Sequence, residues 1–277
     1  MEKRILQVGH SPDADDAFMF YGLSCHAVTI RGMEIRHVME DIQRLNERAL
    51  KGELEVTAIS AYAYPYVADR YWIMKTGSSM GEGYGPILVS KKFQEIAQLK
   101  GRKVATPGPL TTARLLFHLY LEEAAPVDIP FDQIVEAVLS EEVDAGILIH
   151  EGQLTFDRSG LHQIIDFGRI WTEETNLPLP LGLDVVRKDL GEASAKEISL
   201  GLQASIRYGY EHQDKAIPYA LQFGRGLDAE TGARFVKMYV NDLTVDMGER
   251  GKEALTLLFR RAYEKRLIEK RPEVVCI

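Results

Sequence analysis

One histidine stands where an apolar run ends. The segment GILIHEGQLTF (146–156) begins as a buried strand and reaches His150, which Glu151 and Gly152 follow. A free imidazole, with a pKa of about 6.5, takes up or releases a proton near neutral pH. A structural histidine satisfied by the backbone is the alternative interpretation. No Gly-x-Ser-x-Gly elbow occurs in the chain, so the residues favour proton transfer by one imidazole on a bound anion, without a metal.

Three predicted turns from a strand into a helix carry hydroxyl side chains. Ser11 follows the first apolar run, Ser60 follows VTAI, and Thr111 with Thr112 follows VATPGPL. A helix N-terminus offers unpaired N–H groups and a partial positive charge, and with hydroxyls it binds an anion without Lys or Arg. Each hydroxyl can instead be a helix N-cap. The doubled threonine favours ligand binding, because one threonine suffices as a cap and the second hydroxyl is then free.

Other signals point away from metals and nucleotides. Asp13, Asp15 and Asp16 complement the dipole of a following helix, and no His pair at ligand spacing accompanies them. The segment MGEGYGP (80–86) has three glycines but precedes a strand, so it predicts a flexible turn or lid and not a phosphate loop. We therefore expect neither a metal ion nor a cofactor.

The composition indicates a globular protein with a small-molecule partner. Of 277 residues, 45% are hydrophobic and 27% charged, and the net charge of −8 argues against nucleic acid and anionic membranes as partners. Cys25 and Cys276 fit no metal or redox spacing. The first apolar run is too short for a signal peptide, and no stretch of about 18 apolar residues occurs. We expect a cytoplasmic protein with an anionic substrate, and a homodimer is one assembly that the sequence leaves open.

Strand and helix patterns alternate along the chain and must position these residues. Apolar runs predict strands at 5–8, 28–39, 54–59, 71–76, 86–90, 103–106 and 143–149. Helical patterns lie at 13–25, 41–52, 61–69, 110–123 and 131–139, and about three more helices begin near 193. This order predicts an α/β protein with largely parallel sheets.

Two stretches, 87–92 and 181–188, are the expected crossings between two lobes. The chain between them has its own strands and helices, and the helical C-terminal part would complete the first lobe. We predict a discontinuous lobe 1 of residues 1–90 plus 187–277 and a lobe 2 of residues 91–186. A ligand cleft would lie between the lobes, and hinge motion would close it.

Seven segments in order resemble the 1,4-dihydroxy-6-naphthoate synthase family of menaquinone biosynthesis. They are SPDADDAFMFYGL, LNERALKGELEVTAIS, GEGYGPILVS, TPGPLTTARLL, VDAGILIHEGQLTF, LPLPLGLDVVRK and MYVNDLTVDMGERGKEAL. The resemblance covers nearly the whole chain, and HEG after DAGILI and PGPLTTA are its most specific parts. It implies an α/β fold with two lobes, the clamshell of type II periplasmic binding proteins, in a cytoplasmic enzyme.

The resemblance also implies a lyase of the futalosine route. Such an enzyme converts cyclic dehypoxanthine futalosine into 1,4-dihydroxy-6-naphthoate and dihydroxyacetone. His150 matches the family's proposed proton acceptor, which would remove a proton as the carbon–carbon bond breaks and the ring aromatises. The paired threonines would hold a carboxylate or a ring oxygen. The expected substrate-binding residues are Ala58, Ile59, Ser60, Thr111, Thr112, Asn46, Tyr239 and Ser11.

The first motif departs from the family pattern. The family commonly has SPCPNDT, whereas residues 11–17 are SPDADDA, so Asp15 and Ala17 replace an Asn and a Thr. The replacements change charge and hydrogen bonding at a turn that faces the cleft, and they bear on the substrate. Two other functions stay open. One is a chorismate-dehydratase-type enzyme of the same pathway, against which IHEG favours the lyase, and the other is a non-catalytic cytoplasmic binder of a small carboxylate.

Overall fold

Strands and helices alternate through most of the chain, and the C-terminal part is helical. The computed structural model describes residues 4–154, 156–223 and 229–277, without the side chains of His150, Glu151, Asp157, Arg158 and Ala229. The strands are β1 (Arg4–His10), β2 (Met33–Met39), β3 (Val56–Ser60), β4 (Tyr71–Ile73), β5 (Ser79–Gly81), β6 (Ile87–Ser90), β7 (Lys103–Thr106), β8 (Ala125–Asp128), β9 (Ala145–Leu148), β10 (His162–Asp166) and β11 (Leu179–Arg187).

The α-helices are mostly short, and the two longest lie in the C-terminal part. They are α1 (Ala14–Met19), α2 (Tyr21–Ser24), α3 (Ile42–Lys51), α4 (Thr112–Tyr120), α5 (Ile134–Leu139), α6 (Phe167–Thr175), α7 (Glu192–Glu211), α8 (Gln213–Ala220), α9 (Ala229–Tyr239), α10 (Asp242–Val245) and α11 (Gly248–Glu264). Short 3-10 helices occupy Ala61–Tyr66, Ile96–Leu99, Phe131–Gln133, His150–Leu154, Phe156–Ser159 and Lys188–Leu190. Within the described residues, no helix is long and apolar enough to span a membrane.

The strands form two mixed sheets. The first has the order β2-β1-β3-β11-β4, with β5 also paired to β11, and the second has the order β10-β6-β9-β7-β8. β1 is parallel to β2 and β3, and β7 is parallel to β8 and β9. β11 and β6 run antiparallel to all their neighbours. The prediction of largely parallel sheets is therefore wrong. The strands that follow the two crossings, β6 and β11, are antiparallel to the strands with which they pair.

The strand pairing also bears on the expected lobes. β6 (87–90) pairs in the second sheet, and β11 (179–187) pairs in the first. The chain thus passes between the sheets before residue 87 and returns before residue 179, earlier than the predicted boundaries at 90 and 186. The division into two lobes itself stays a prediction.

Local signals account for helix α3 and for some of the differences elsewhere. Asp41 accepts a hydrogen bond from the Arg44 N–H at 3.1 Å, and Gly52 ends the helix with a φ of 69°, as the sequence predicts. The predicted strand at 28–39 is shorter, since β2 begins at Met33. Strands β5, β8 and β10 and helix α6 were not predicted, and the C-terminal part contains α7 to α11 where about three helices were expected.

One buried cluster joins the two sheets. Ile59 and Leu183 belong to the first sheet, Ile147 belongs to the second, and Leu115 lies on α4 between them. All four are at most 1% exposed. Burial of this apolar surface is the main favourable term that fixes the sheets relative to each other.

The glycine-rich segment at 80–86 is packed and does not form a lid. A Cβ on Gly85 would lie 2.9 Å from the N atom of Gly168, so the two backbones touch at a place where neither residue has a side chain. The Tyr84 hydroxyl donates to the carbonyl of Met238 and accepts from Asn241 Nδ2 at 3.2 Å. These contacts hold the second half of the turn and the pairing of β5 with β11 holds its start, so the structure does not support its interpretation as a flexible turn or lid.

Candidate active site

A cavity of about 780 Å³, including its open mouth, lies between the two sheets. Its walls are the turn after β1, the end of β3, the start of α4, strand β11 and helix α9. Strand ends and a helix start are where ligands bind in open α/β folds. Of the predicted binding residues, those that line the cavity are Ser11, Ala58, Ile59, Ser60, Thr111, Thr112 and Tyr239.

Asn46 lies behind the cavity wall and does not line it. This fully buried side chain accepts from the Ser60 N–H at 2.8 Å through Oδ1. Its Nδ2 donates to Ser60 Oγ at 3.1 Å and to the carbonyl of Leu110 at 3.4 Å. Asn46 therefore holds the end of β3 and the loop before α4 together, and the prediction of a direct substrate contact by Asn46 finds no support in this geometry.

The two threonine hydroxyls are both engaged by the protein. Thr111 is the N-cap of α4, since its Oγ1 accepts from the Arg114 N–H at 3.2 Å and donates to the Gly108 carbonyl at 2.7 Å. Thr112 Oγ1 donates to the carbonyl of Leu181 at 2.7 Å. The expectation that the second hydroxyl is free is wrong, because it donates a hydrogen bond to a carbonyl group of β11. Within the described part of the chain, the N–H groups of Thr112 and Ala113 have no hydrogen-bond partner, and these groups remain for a ligand.

The turn after β1 differs from the predicted hydroxyl-and-helix design. The Ser11 hydroxyl donates to Asp13, and the Ser11 N–H donates to Asp16. Both carboxyl groups are buried and line the cavity, together with the half-buried Asp15. Burial and the nearby Asp184 raise the pKa of Asp16 well above its usual range. The N-cap of α1 is Asp13 and not Ser11, whereas Asp15 and Asp16 lie in the first helical turn as the sequence indicates.

Tyr239 closes one side of the cavity. Its hydroxyl accepts from Gln153 Nε2 at 2.6 Å, and its ring packs on Phe235 with 4.6 Å between the centroids. Burial raises the pKa of Tyr239 well above its usual value, so the phenol is neutral and serves as a polar contact. Gln153 was missed, although it stands three residues after His150 in the HEGQ motif.

The side chain of His150 lies outside the described residues. The backbone around it is described: β9 ends at Leu148, and a 3-10 helix begins at His150. Ile149 and Gln153, on either side of His150 in the chain, line the cavity. The segment that carries His150 thus borders the cavity, and the role of its imidazole stays a prediction.

His10, the other histidine at a strand end, is a structural residue. Its Nδ1 lies 3.0 Å from the Ser11 carbonyl oxygen and its Nε2 lies 3.0 Å from His37 Nδ1. Because a carbonyl only accepts, His10 carries its proton on Nδ1 and accepts from His37 at Nε2. Burial lowers the pKa of His10 to about 4, and the ring stacks on Phe20 at 4.7 Å. His10 does not line the cavity between the sheets.

Comparisons with known proteins agree with this geometry. A family profile described as menaquinone biosynthesis matches residues 6–264. The 1,4-dihydroxy-6-naphthoate synthase of Thermus thermophilus is 37% identical over 267 residues, which cover 96% of this chain and 97% of the relative.

Solved structures are similar as well. A crystal structure of a protein from Archaeoglobus fulgidus is 47% identical, with a TM-score of 0.91 over 95% of this chain and 98% of that chain. The alkanesulfonate-binding protein of Xanthomonas axonopodis is 14% identical, with a TM-score of 0.72 over 99% of this chain and 97% of that chain.

The second likeness concerns the fold alone, and it confirms the predicted α/β fold of the periplasmic-binding-protein type. The family profile spans nearly the whole chain, and so does the Thermus relative, which shares more than a third of its residues. The same span covers the cavity walls from Ser11 to Tyr239. The chain therefore belongs to the menaquinone biosynthesis family.

Proposed function

We propose that this chain is a 1,4-dihydroxy-6-naphthoate synthase. As a carbon–carbon lyase it converts cyclic dehypoxanthine futalosine into 1,4-dihydroxy-6-naphthoate and dihydroxyacetone. The proposal depends on the cavity between the sheets. Residues that the family resemblance implies as substrate contacts, from distant parts of the chain, line this one cavity. The name of the Thermus relative supports the same activity.

The substrate carboxylate binds at the start of α4. The two partnerless N–H groups of Thr112 and Ala113 point to an anion there, and the helix has nine residues to supply a dipole. The turn after β1 carries carboxyl groups instead, which hydrogen-bond hydroxyl groups, and a protonated Asp16 can also donate to a ketone oxygen. This polarity orients an anionic substrate with its sugar-derived end towards Asp13 and Asp16.

His150 is the general base of the proposed reaction. It removes a proton from the bound substrate as the carbon–carbon bond breaks, and aromatisation of the product ring supplies driving force. Ile149 and Gln153, which border the cavity next to it in the chain, support this placement. Ala58, Ile59 and Ser60 form the wall at the end of β3, and Tyr239 forms the opposite wall.

Three further properties belong to the proposal. The enzyme acts in the cytoplasm, as the negative net charge and the biosynthetic family suggest. Its lobes, residues 1–90 plus 187–277 and residues 91–186 with the crossings adjusted to β6 and β11, close around the substrate. Two copies form a homodimer, which gel filtration with light scattering tests directly.

The decisive experiment compares substrates and histidine variants. The purified protein is incubated with cyclic dehypoxanthine futalosine or with chorismate, and the naphthoate is followed by its absorbance. We expect turnover of the first substrate only. His150→Gln should lower kcat by about 10²–10⁴-fold, the usual contribution of a general base, with substrate binding retained. His26→Gln, at an exposed histidine, is the matched control and should keep the wild-type rate.

Other outcomes of the same assay would replace the proposal. Turnover of chorismate would assign the chorismate-dehydratase-type activity. Calorimetric binding of a small carboxylate with no turnover of either substrate would identify a non-catalytic binder. Wild-type kcat in His150→Gln would remove this residue from the mechanism while leaving the lyase activity in place.

A further inference from the structure

Asp16 presents one carboxyl oxygen to the cavity. Its Oδ2 accepts the N–H of Ser11, and the residue is 8% exposed and lines the cavity. Within the described residues, no hydrogen bond engages the other oxygen, Oδ1, and this atom is not among the fully buried unpaired ones. Oδ1 is therefore the oxygen of Asp16 that a bound molecule can reach.

A second buried carboxyl group, that of Asp184, interacts electrostatically with Asp16. Asp184 on β11 is 1% exposed, and its Oδ2 has no hydrogen-bond partner in the part of the chain that the structure describes. A Cβ atom added to Gly77 would collide with this oxygen, and Gly77 lines the cavity. Only Gly77 thus separates the unpaired Oδ2 of Asp184 from the cavity, and no cation among the described residues pairs with it.

Asp16 and Asp184 are both buried and interact electrostatically, which disfavours the ionised form of both. Burial, Asp184 and Asp13 all raise the pKa of Asp16, and only the Ser11 N–H opposes them. Burial also raises the pKa of Asp184 to about 8. Because Oδ2 of Asp16 already accepts an N–H, the proton of the neutral carboxyl resides on Oδ1, the oxygen on the cavity side.

We propose that Asp16 is the catalytic acid of this cavity and that Asp184 is the positioning residue that keeps it protonated. This inference rests on the proposed lyase function. A neutral carboxyl group held in a buried site can donate a hydrogen bond, and then a proton, to an oxygen on which negative charge develops.

The proton balance of the step is complete. His150 takes a proton from the substrate, the carbon–carbon bond breaks, and its electron pair moves into the ring to give an enolate oxygen. Asp16 Oδ1 gives its proton to that oxygen, which becomes a hydroxyl group of the dihydroxynaphthoate. The site is left with a protonated His150 and an ionised Asp16, and exchange with solvent after product release restores both. No oxidant or further reactant is needed.

Kinetics of three aspartate variants test the proposal. Asp16→Asn keeps an oxygen for the Ser11 N–H but has no acidic proton, so we expect kcat to fall by about 10²–10⁴-fold with KM within about threefold of wild type. Asp184→Asn removes the neighbouring carboxyl group, so the loss of kcat at alkaline pH should move to lower pH by about one pH unit. Asp69→Asn makes the same chemical change at an exposed position and should leave the whole pH profile unchanged.

An infrared measurement on the free protein keeps this proposal separate from the proposed function. At neutral pH we expect protonated-carboxyl C=O absorption from Asp16, seen as intensity that Asp16→Asn loses and Asp69→Asn keeps, beside a second contribution from Asp184 that Asp184→Asn removes. Wild-type turnover together with an unchanged kcat in Asp16→Asn would overturn the catalytic role. Absence of the Asp16 intensity would overturn the protonated state whatever the substrate proves to be. Absence of turnover in the wild type, with the Asp16 intensity present, would count against the lyase function and this catalytic role, but not against the protonated carboxyl.

Discussion

Thr112 Oγ1 on α4 donates a hydrogen bond to the carbonyl oxygen of Leu181 on β11, with 2.7 Å between the two oxygens. The same Thr112 oxygen accepts from the Tyr62 N–H at 3.4 Å. α4 follows a strand of the second sheet, whereas β11 belongs to the first. One hydroxyl therefore fixes the helix start proposed to bind the substrate carboxylate against the opposite wall of the cavity.

Thr112→Val should loosen this connection. The valine has the same shape but leaves the Leu181 carbonyl without its donor, so we expect the free energy of unfolding to fall by about 1–2 kcal/mol. KM should rise, because the N–H groups of α4 lose their fixed position, whereas Thr112→Ser should keep both values near wild type. Urea unfolding and steady-state kinetics measure the two effects. Equal stability of the valine and serine variants would contradict a role for the hydrogen bond.

Asn46→Ala should destabilise the protein by about 2–3 kcal/mol. The substitution removes a buried side chain that satisfies both the N–H and the hydroxyl of Ser60, and buried groups left unpaired are costly. Glu47→Ala, at the exposed neighbour on α3, is the matched control and should change stability by less than about 0.5 kcal/mol. Urea unfolding measures both variants. A similar loss in both would show that the Asn46 bonds are not responsible.

His10 should contribute stability that falls as the pH drops from 6.5 towards 4. The pKa of His10 is lowered from 6.5 to about 4, so in this range the unfolded chain binds more protons than the folded one. The His10 contribution to the free energy of unfolding therefore rises with pH by about 3 kcal/mol across the window, whereas Asp16 and Asp184, whose pKa values are raised, contribute with the opposite sign. His37, whose pKa burial also lowers, adds to the same trend.

His10→Gln tests this assignment. The variant has no titrating group at position 10, so the difference in urea-unfolding free energy between wild type and variant should shift in favour of the wild type from pH 4 to pH 6.5. His26→Gln, at an exposed histidine, should retain the wild-type slope. Parallel pH curves for all three proteins would assign the acid sensitivity to other groups.

Gly77→Ala should be far more harmful than Gly83→Ala. Both glycines have a positive φ, 81° and 76°, so both alanine variants carry backbone strain of about 1 kcal/mol. At Gly77 the new methyl group would also collide with Asp184, whereas nothing lies within 4 Å at Gly83. We expect a loss of about 3 kcal/mol for Gly77→Ala, measured by thermal unfolding. If the collision is the cause, adding Asp184→Ala to Gly77→Ala recovers part of the loss.

The sequence predicts the elements of this fold where local signals are complete. Asp41 and Gly52 mark both ends of α3, and the apolar run at 103–106 is β7 as observed. The antiparallel entry of β6 and β11 has no local signal, since strand direction depends on where the chain crosses between sheets. The crossings between the sheets lie earlier in the chain than predicted for the same reason.

Seven of the eight predicted binding residues line the cavity, but the sequence does not predict their hydrogen bonds. The sequence places Thr112 and Asn46 near the site, yet their partners Leu181 and Leu110 lie 69 and 64 positions away. Such partners are set by tertiary packing and leave no trace in the spacing of residues. Asp184 is the strongest example, because a lone aspartate in an apolar strand gives no hint of its electrostatic interaction with Asp16.

Strand β11 has a further consequence for how the protein can be observed. Both tryptophans of the chain adjoin it: Trp72 on β4 is the register partner of Val186, and Trp171 donates its indole N–H at 3.0 Å to the carbonyl of Pro178, just before the strand begins. Indole emission responds to its immediate surroundings, and these two fluorophores stand at opposite ends of the wall that carries Leu181. Displacement of that wall when the cleft fills will therefore change the natural fluorescence, so ligand titrations need no attached dye.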